Sequence, residues 1–157
     1  MNQKAIHYLI CFLVAGLCGC QAQSPFDLGR IMNPRMSDEE KITLILEDVQ
    51  RGMESQRVYQ VLSHVSRAYS DKDGRDFAAL QEDLNTLMKN YRNIRITRTP
   101  PRIEVRGNKA RVTDTFGTMA EPVRPDLFPP VNLQGQVMLM MEKVGDNWQI
   151  IEWGPIS

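Results

Sequence analysis

The sequence predicts an α+β domain in which N-terminal helices pack on one face of a curved antiparallel sheet. Three observations carry that prediction. Apolar residues recur at helical spacing as far as Tyr91, then switch to alternation. Gly107-Asn108 and Gly145-Asp146 sit between alternating runs as hairpin turns. The three cysteines, Cys11, Cys18 and Cys20, all precede Gln21, so the body can hold neither a disulfide framework nor a Cys-based metal site and must rest on an apolar core.

The elements follow in order. Ser37 and Glu40 form a capping box, in which each side chain satisfies a backbone N–H of the other. Ile42, Ile45, Leu46, Val49 and Met53 then mark the buried stripe of a first helix, whose end Gly52 weakens. Val58, Val61, Leu62 and Val65 predict a second helix. A third, capped by Asp76, runs through Phe77, Leu80, Leu84, Leu87, Met88 and Tyr91. Beyond it Ile94 and Ile96 alternate with Arg95 and Thr97, and Ile103 and Val105 flank Glu104. Ala110, Val112 and Asp114 continue from the first turn; Val137, Leu139 and Met141 precede the second, and Trp148 to Trp153 close the meander. The stretch "MAEPVRPDLFPPVN" is too rich in proline for a central strand and reads as a long connection, either a lid or binding surface or a stiff edge, whose Leu127 and Phe128 could plug the interior.

A chain of 157 residues suits one domain. Its 19 basic residues balance 19 acidic ones, so no nucleic-acid footprint and no such partner are expected. Residues 1–19 read as a signal peptide: one lysine, the apolar run "AIHYLICFLVAGL", too short to span a bilayer, and small residues. "LCGC", Leu17 to Cys20, resembles the lipobox of bacterial lipoproteins. The resemblance implies cleavage after Gly19 and acylation of Cys20, anchoring the chain to a membrane through chains that each bury about 0.8 kcal/mol per methylene. Gln21 in place of Asp implies the periplasmic face of the outer membrane. Residues 20–36, broken by Pro25, Gly29 and Pro34, form the lipidated tether, reaching about 50 Å if extended. Its Phe26, Leu28, Ile31 and Met32 could instead fold back on the body.

From residue 37 to 157 the pattern resembles the nuclear transport factor 2-like superfamily, a cone shared with ketosteroid isomerases and many bacterial lipoproteins. The residues that carry the likeness are "VLSHVSRAYSDKDGRD", "FAALQEDLNTLMKNY", "IEVRGNKARV" and "KVGDNWQIIEW". These motifs are architectural and imply a fold, not an activity.

Five constellations bear on function. Counted from Asp71, the stretch "DKDGRD" places Asp71, Asp73 and Glu82 at calcium-loop positions. However, Arg75 stands where a ligand is needed and Asp76 where the glycine is needed. The plainer assignment is a turn at Asp73-Gly74 and an N-cap at Asp76. His64, the single histidine after the signal peptide, lies off the apolar stripe and has no second histidine with which to hold zinc. No metal or cofactor is expected. Asp114 shares the inward parity of Ala110 and Val112. In a cone, the resemblance implies, such a carboxylate does acid–base work; otherwise it pairs with an arginine or a tyrosine hydroxyl. Glu152 raises the same choice. Met138 and Met140 face outward, and with Ile151 and Trp153 they are expected to form an apolar stripe for a second copy or an envelope partner. The expected function is a lipid-anchored binding or interaction module of the cell envelope. The alternative is a small isomerase or dehydratase using Asp114.

Overall fold

The computed structural model describes residues Met36–Ser157. The signal peptide, the lipobox with Cys20 and the tether up to residue 35 lie outside the described residues.

Helix α1 spans Asp38–Glu54. Ser37 Oγ accepts from Glu40 N–H at 3.1 Å and Glu40 Oε2 accepts from Ser37 N–H at 2.7 Å, closing the capping box. Three acids in the first turn favour the positive end of the helix dipole. Ile42, Leu46 and Val49 turn inward with Gly52. Gly52 does more than weaken the helix. A Cβ there would lie 2.9 Å from Val61 Cγ2, so its lack of a side chain lets α1 approach α2, Val58–Leu62. The latter is shorter than its stripe predicts, because Val65 leaves the helix to bridge Ile150 in parallel. Helix α3, Phe77–Asn90, starts where Asp76 accepts from Ala79 N–H at 2.9 Å. It stops one residue short of the expected end, since Tyr91 is already extended and paired with Pro122.

Strands β1 (Tyr91–Arg98), β2 (Arg102–Arg106), β3 (Lys109–Pro122), β4 (Val131–Val144) and β5 (Asn147–Trp153) form one antiparallel sheet in the order β1-β3-β4-β5. β2 also pairs with β3, on the edge that β1 uses. Arg98 stands opposite Phe116 and Arg102 opposite Thr113. In effect β1 and β2 are one strand interrupted at Pro100-Pro101, which cannot donate to a ladder. Both hairpin turns have a glycine of positive φ, 62° at Gly107 and 64° at Gly145, at the first of two loop residues.

The core lies between the helices and the inward residues of the sheet. Ile42, Val61, Val112, Leu139, Met141 and Ile150 are fully buried, each worth about 1.5–3 kcal/mol of transfer free energy. Strands β3 and β4 run further than their prolines suggest, leaving residues 123–130 as the connection. Phe128 packs against Tyr91 with ring centroids 6.1 Å apart, while Leu127 is half exposed and plugs nothing.

Candidate functional site

The interruption at Pro100-Pro101 places Arg98 beside Asp114. Ile94, Ile96 and Arg98 share one face of β1, so the arginine enters the interior on an apolar strand. Its Nε donates to Asp114 Oδ1 at 3.0 Å, and Nη2 lies 3.0 Å from the same oxygen. The two side chains are 12% and 10% exposed, so the pair is nearly dry. The approach of Nη2 is an ion pair without hydrogen-bonding geometry, and Nη2 has no hydrogen-bond partner among the described residues. Asp114 therefore faces inward, as its strand parity predicts, and it meets the arginine of the plainer assignment. Among the described residues, no tyrosine hydroxyl or second carboxylate is hydrogen-bonded to it.

Glu152 is not in the interior. A bulge between Met140 and Met141 makes Ile151 the extra residue of β5, so that Glu152 stands opposite Met140 on the outer face. The same bulge corrects the expected apolar stripe. Trp153 stands opposite the buried Leu139 and packs on the core, on the side that Trp148 and Ile150 occupy, rather than beside Ile151. What remains outside is Met138, 44% exposed, and the half-buried Met140, set among Arg102, Thr113, Arg111, Glu104 and Glu152.

Arg98 borders two clefts of about 500 Å³. One lies between Thr43, Glu47 and Gln50 of α1 and the Arg98–Pro101 segment. The other lies against Thr115, Phe116 and Gln136. A third, of about 210 Å³, lies on the outer face beside Met140, Arg106, Lys109 and Arg111. A fourth, of about 480 Å³, lies beside His64 and Trp148. Neither Asp114 nor Glu152 lines any of the four.

The remaining polar clusters serve the fold. Asp71 Oδ1 accepts from the N–H of Asp73 and of Arg75, each at 3.0 Å; Oδ2 accepts from Arg75 Nε at 2.8 Å and Tyr69 Oη at 3.2 Å. Burial works against its charge, but the bonds from Arg75 outweigh it and hold the carboxyl below its ordinary value. Burial and then the Asp71 charge push the Tyr69 phenol up to about 12. The carboxylate that looked like the first calcium ligand is thus the pin of the loop. Gly74, at φ 75°, makes the turn. Among the described residues no group of acids, histidines or cysteines is arranged to hold a metal. His64 Nε2 stands 2.8 Å from Asp48 Oδ2, and with Arg51 and Gln60 it brings that carboxyl down to about 2. Asp38 accepts from Lys143 Nζ at 2.7 Å and Trp148 Nε1 at 3.0 Å, which lowers its pKa and ties the start of α1 to the last hairpin. The parity of Ile94 and Ile96 could have found Arg98 in the sequence; nothing local announces the partner of His64.

No family model and no curated protein matches the chain. Solved structures do. A proposed scytalone dehydratase from Novosphingobium aromaticivorans superposes with a TM-score of 0.64 at 14% identity, over 72% of this chain and 78% of its own. A proposed dehydratase of the NTF2-like family from Streptomyces avermitilis gives 0.63 at 18%, over 74% and 94%. A nuclear transport factor 2-like superfamily protein from Salmonella enterica gives 0.63 at 17%, over 76% and 92%. At these identities the likeness is one of fold alone, and the fold is nuclear transport factor 2-like.

Proposed function

On that frame we propose that the chain is a lipid-anchored binding module of the cell envelope, held through acylated Cys20 at the periplasmic face of the outer membrane and meeting its partner through the outer sheet face around Met138 and Met140. One observation supports this over a dehydratase or isomerase. The carboxylate that would do the chemistry, Asp114, is ion-paired to Arg98 in a packed interior and opens onto none of the clefts described above. A general base must reach the proton that it abstracts, and the Oδ1 of this carboxylate is already engaged by the Arg98 guanidinium.

The second reading keeps Asp114 as an acid–base group, because two of the structural neighbours are described as proposed dehydratases. Two measurements separate the readings. Wild-type chain expressed in a Gram-negative host should incorporate labelled palmitate and partition into the detergent phase, while Cys20→Ser should do neither; equal partitioning of both would overturn the anchor. A hydrophobic fluorescent probe should find no saturable interior site. Saturable binding that Val112→Trp abolishes without unfolding the protein would favour the enzyme.

A further inference from the structure

Each edge of a sheet must account for its outward N–H and C=O groups. On β5 the chain closes its own edge: Ile150 N–H donates to His64 O at 2.8 Å, Ser66 N–H to Ile150 O at 2.9 Å and Ser70 N–H to Ile151 O at 3.1 Å. On β1 the helix does so: Ile96 N–H donates to Glu54 Oε1 and Gln50 Nε2 donates to Ile96 O, both at 2.8 Å. The alternation set by these bonds reverses across Pro100-Pro101, where four steps from Arg98 to Arg102 oppose three from Phe116 to Thr113. Thr99 turns to β3, donating to Thr115 O at 3.1 Å. Arg102, Glu104 and Arg106 then stand opposite Thr113, Arg111 and Lys109, the last pair closing the two-residue turn. In such a hairpin the closing pair and every second pair from it exchange bonds. The backbone groups of Ile103 and Val105 therefore point off the sheet, and among the described residues no partner reaches them there.

We propose that this edge pairs with the same edge of a second copy, antiparallel about a two-fold axis at Val105, so that two sheets become one. Charge selects the register. Only odd residues can bond across the edge, which leaves three arrangements about a two-fold. Centring on Glu104 sets Glu104 against Glu104 and Arg102 against Arg106 of the second copy, like charges throughout. Centring on Ile103 brings Pro101, which has no N–H, opposite Val105 and loses donors. Centring on Val105 sets Glu104 opposite Arg106 of the second copy, twice by symmetry. Glu104 meets Arg102 of its own chain at 2.9 Å, whereas Arg106 has no ion-pair partner among the described residues. The pairing thus supplies Val105 with its backbone partner and Arg106 with its counter-charge, while Ile103 comes to face Gly107 at the turn. It does not depend on Cys20 or on Met138 and Met140.

Sedimentation equilibrium of the full chain in detergent tests it at high micromolar concentration. Glu104→Arg and Arg106→Glu should each weaken self-association about tenfold, and the double exchange should restore it, because opposed charges are merely swapped. Met138→Lys should leave association unchanged. A wild-type monomer, single exchanges without effect, or a double exchange no better than the singles would overturn the pairing. Loss of association in Met138→Lys alone would move the contact to the sheet face and also overturn it. Circular dichroism of each variant ensures that a misfolded chain is not scored as a dissociated one.

Discussion

Changing Asp114 to Leu should reveal whether that carboxylate serves the fold or a reaction. At 3.0 Å and an effective dielectric constant of about 20, the attraction to Arg98 is roughly 5 kcal/mol. Desolvating both groups offsets most of that, so the pair as a whole adds little. The single substitution is another matter. It leaves a guanidinium 12% exposed with no anion, and an uncompensated buried charge costs about 3–5 kcal/mol. The lower value applies at a site with some solvent contact, so about 3 kcal/mol is expected. That is a large share of the roughly 5–15 kcal/mol that holds a domain folded. Replacing both partners, Arg98→Met with Asp114→Leu, should recover stability to within about 1 kcal/mol of wild type. Urea unfolding followed by tryptophan fluorescence suits the measurement, because both tryptophans, the buried Trp148 and the half-buried Trp153, report on the core. A catalytic carboxylate behaves in the opposite way, since removing a strained active-site charge usually leaves a protein as stable or more so. If Asp114→Leu unfolds at the wild-type urea concentration, or if the double variant is no better than the single, the structural account of the pair is wrong.

Other outcomes are expected. Gly52→Ala should destabilise by about 1 kcal/mol in the same assay, because overpacking of roughly 1–3 kcal/mol against Val61 exceeds the gain of about 1 kcal/mol in helix propensity; a net stabilisation would mean that the two helices separate freely. Melting curves with calcium and with chelator should coincide, since protein donors occupy both oxygens of Asp71; an upward shift with calcium would revive the loop as a site. The Asp48 carboxyl is depressed in the folded state to about 2 from 3.8, so its contribution is complete above about pH 4 and is lost as pH falls toward 2. Asp48→Asn should remove that part of the acid limb, and an unchanged limb would show that its partners do not hold the charge.

The features legible in the sequence are those with local causes. The capping box at Ser37, the cap at Asp76 and the glycine turns at 107 and 145 each need only neighbours in sequence to form. What the sequence hid depends on pairing. The bulge at Ile151 inserts one residue and reverses the face of Trp153, and a single-residue shift leaves no trace in an alternating pattern. Likewise nothing in "TPPR" announces that β1 and β2 lie end to end on one neighbour. Asp114 was found by parity, but its role was set by an arginine that arrives from another strand.

The tie between Asp38 and the last hairpin also bears on the order in which the protein can assemble. Trp148 is 110 residues from Asp38 and Lys143 is 105. Contacts that span so much chain make folding slow, because loop closure must precede any reward. A chain delivered from its N-terminus would expose the apolar stripe of α1 until β4 and β5 arrive to receive it. Until then the first helix is an amphipathic segment without a dock, and its earliest turns are fixed only when nearly all the remaining sequence has emerged.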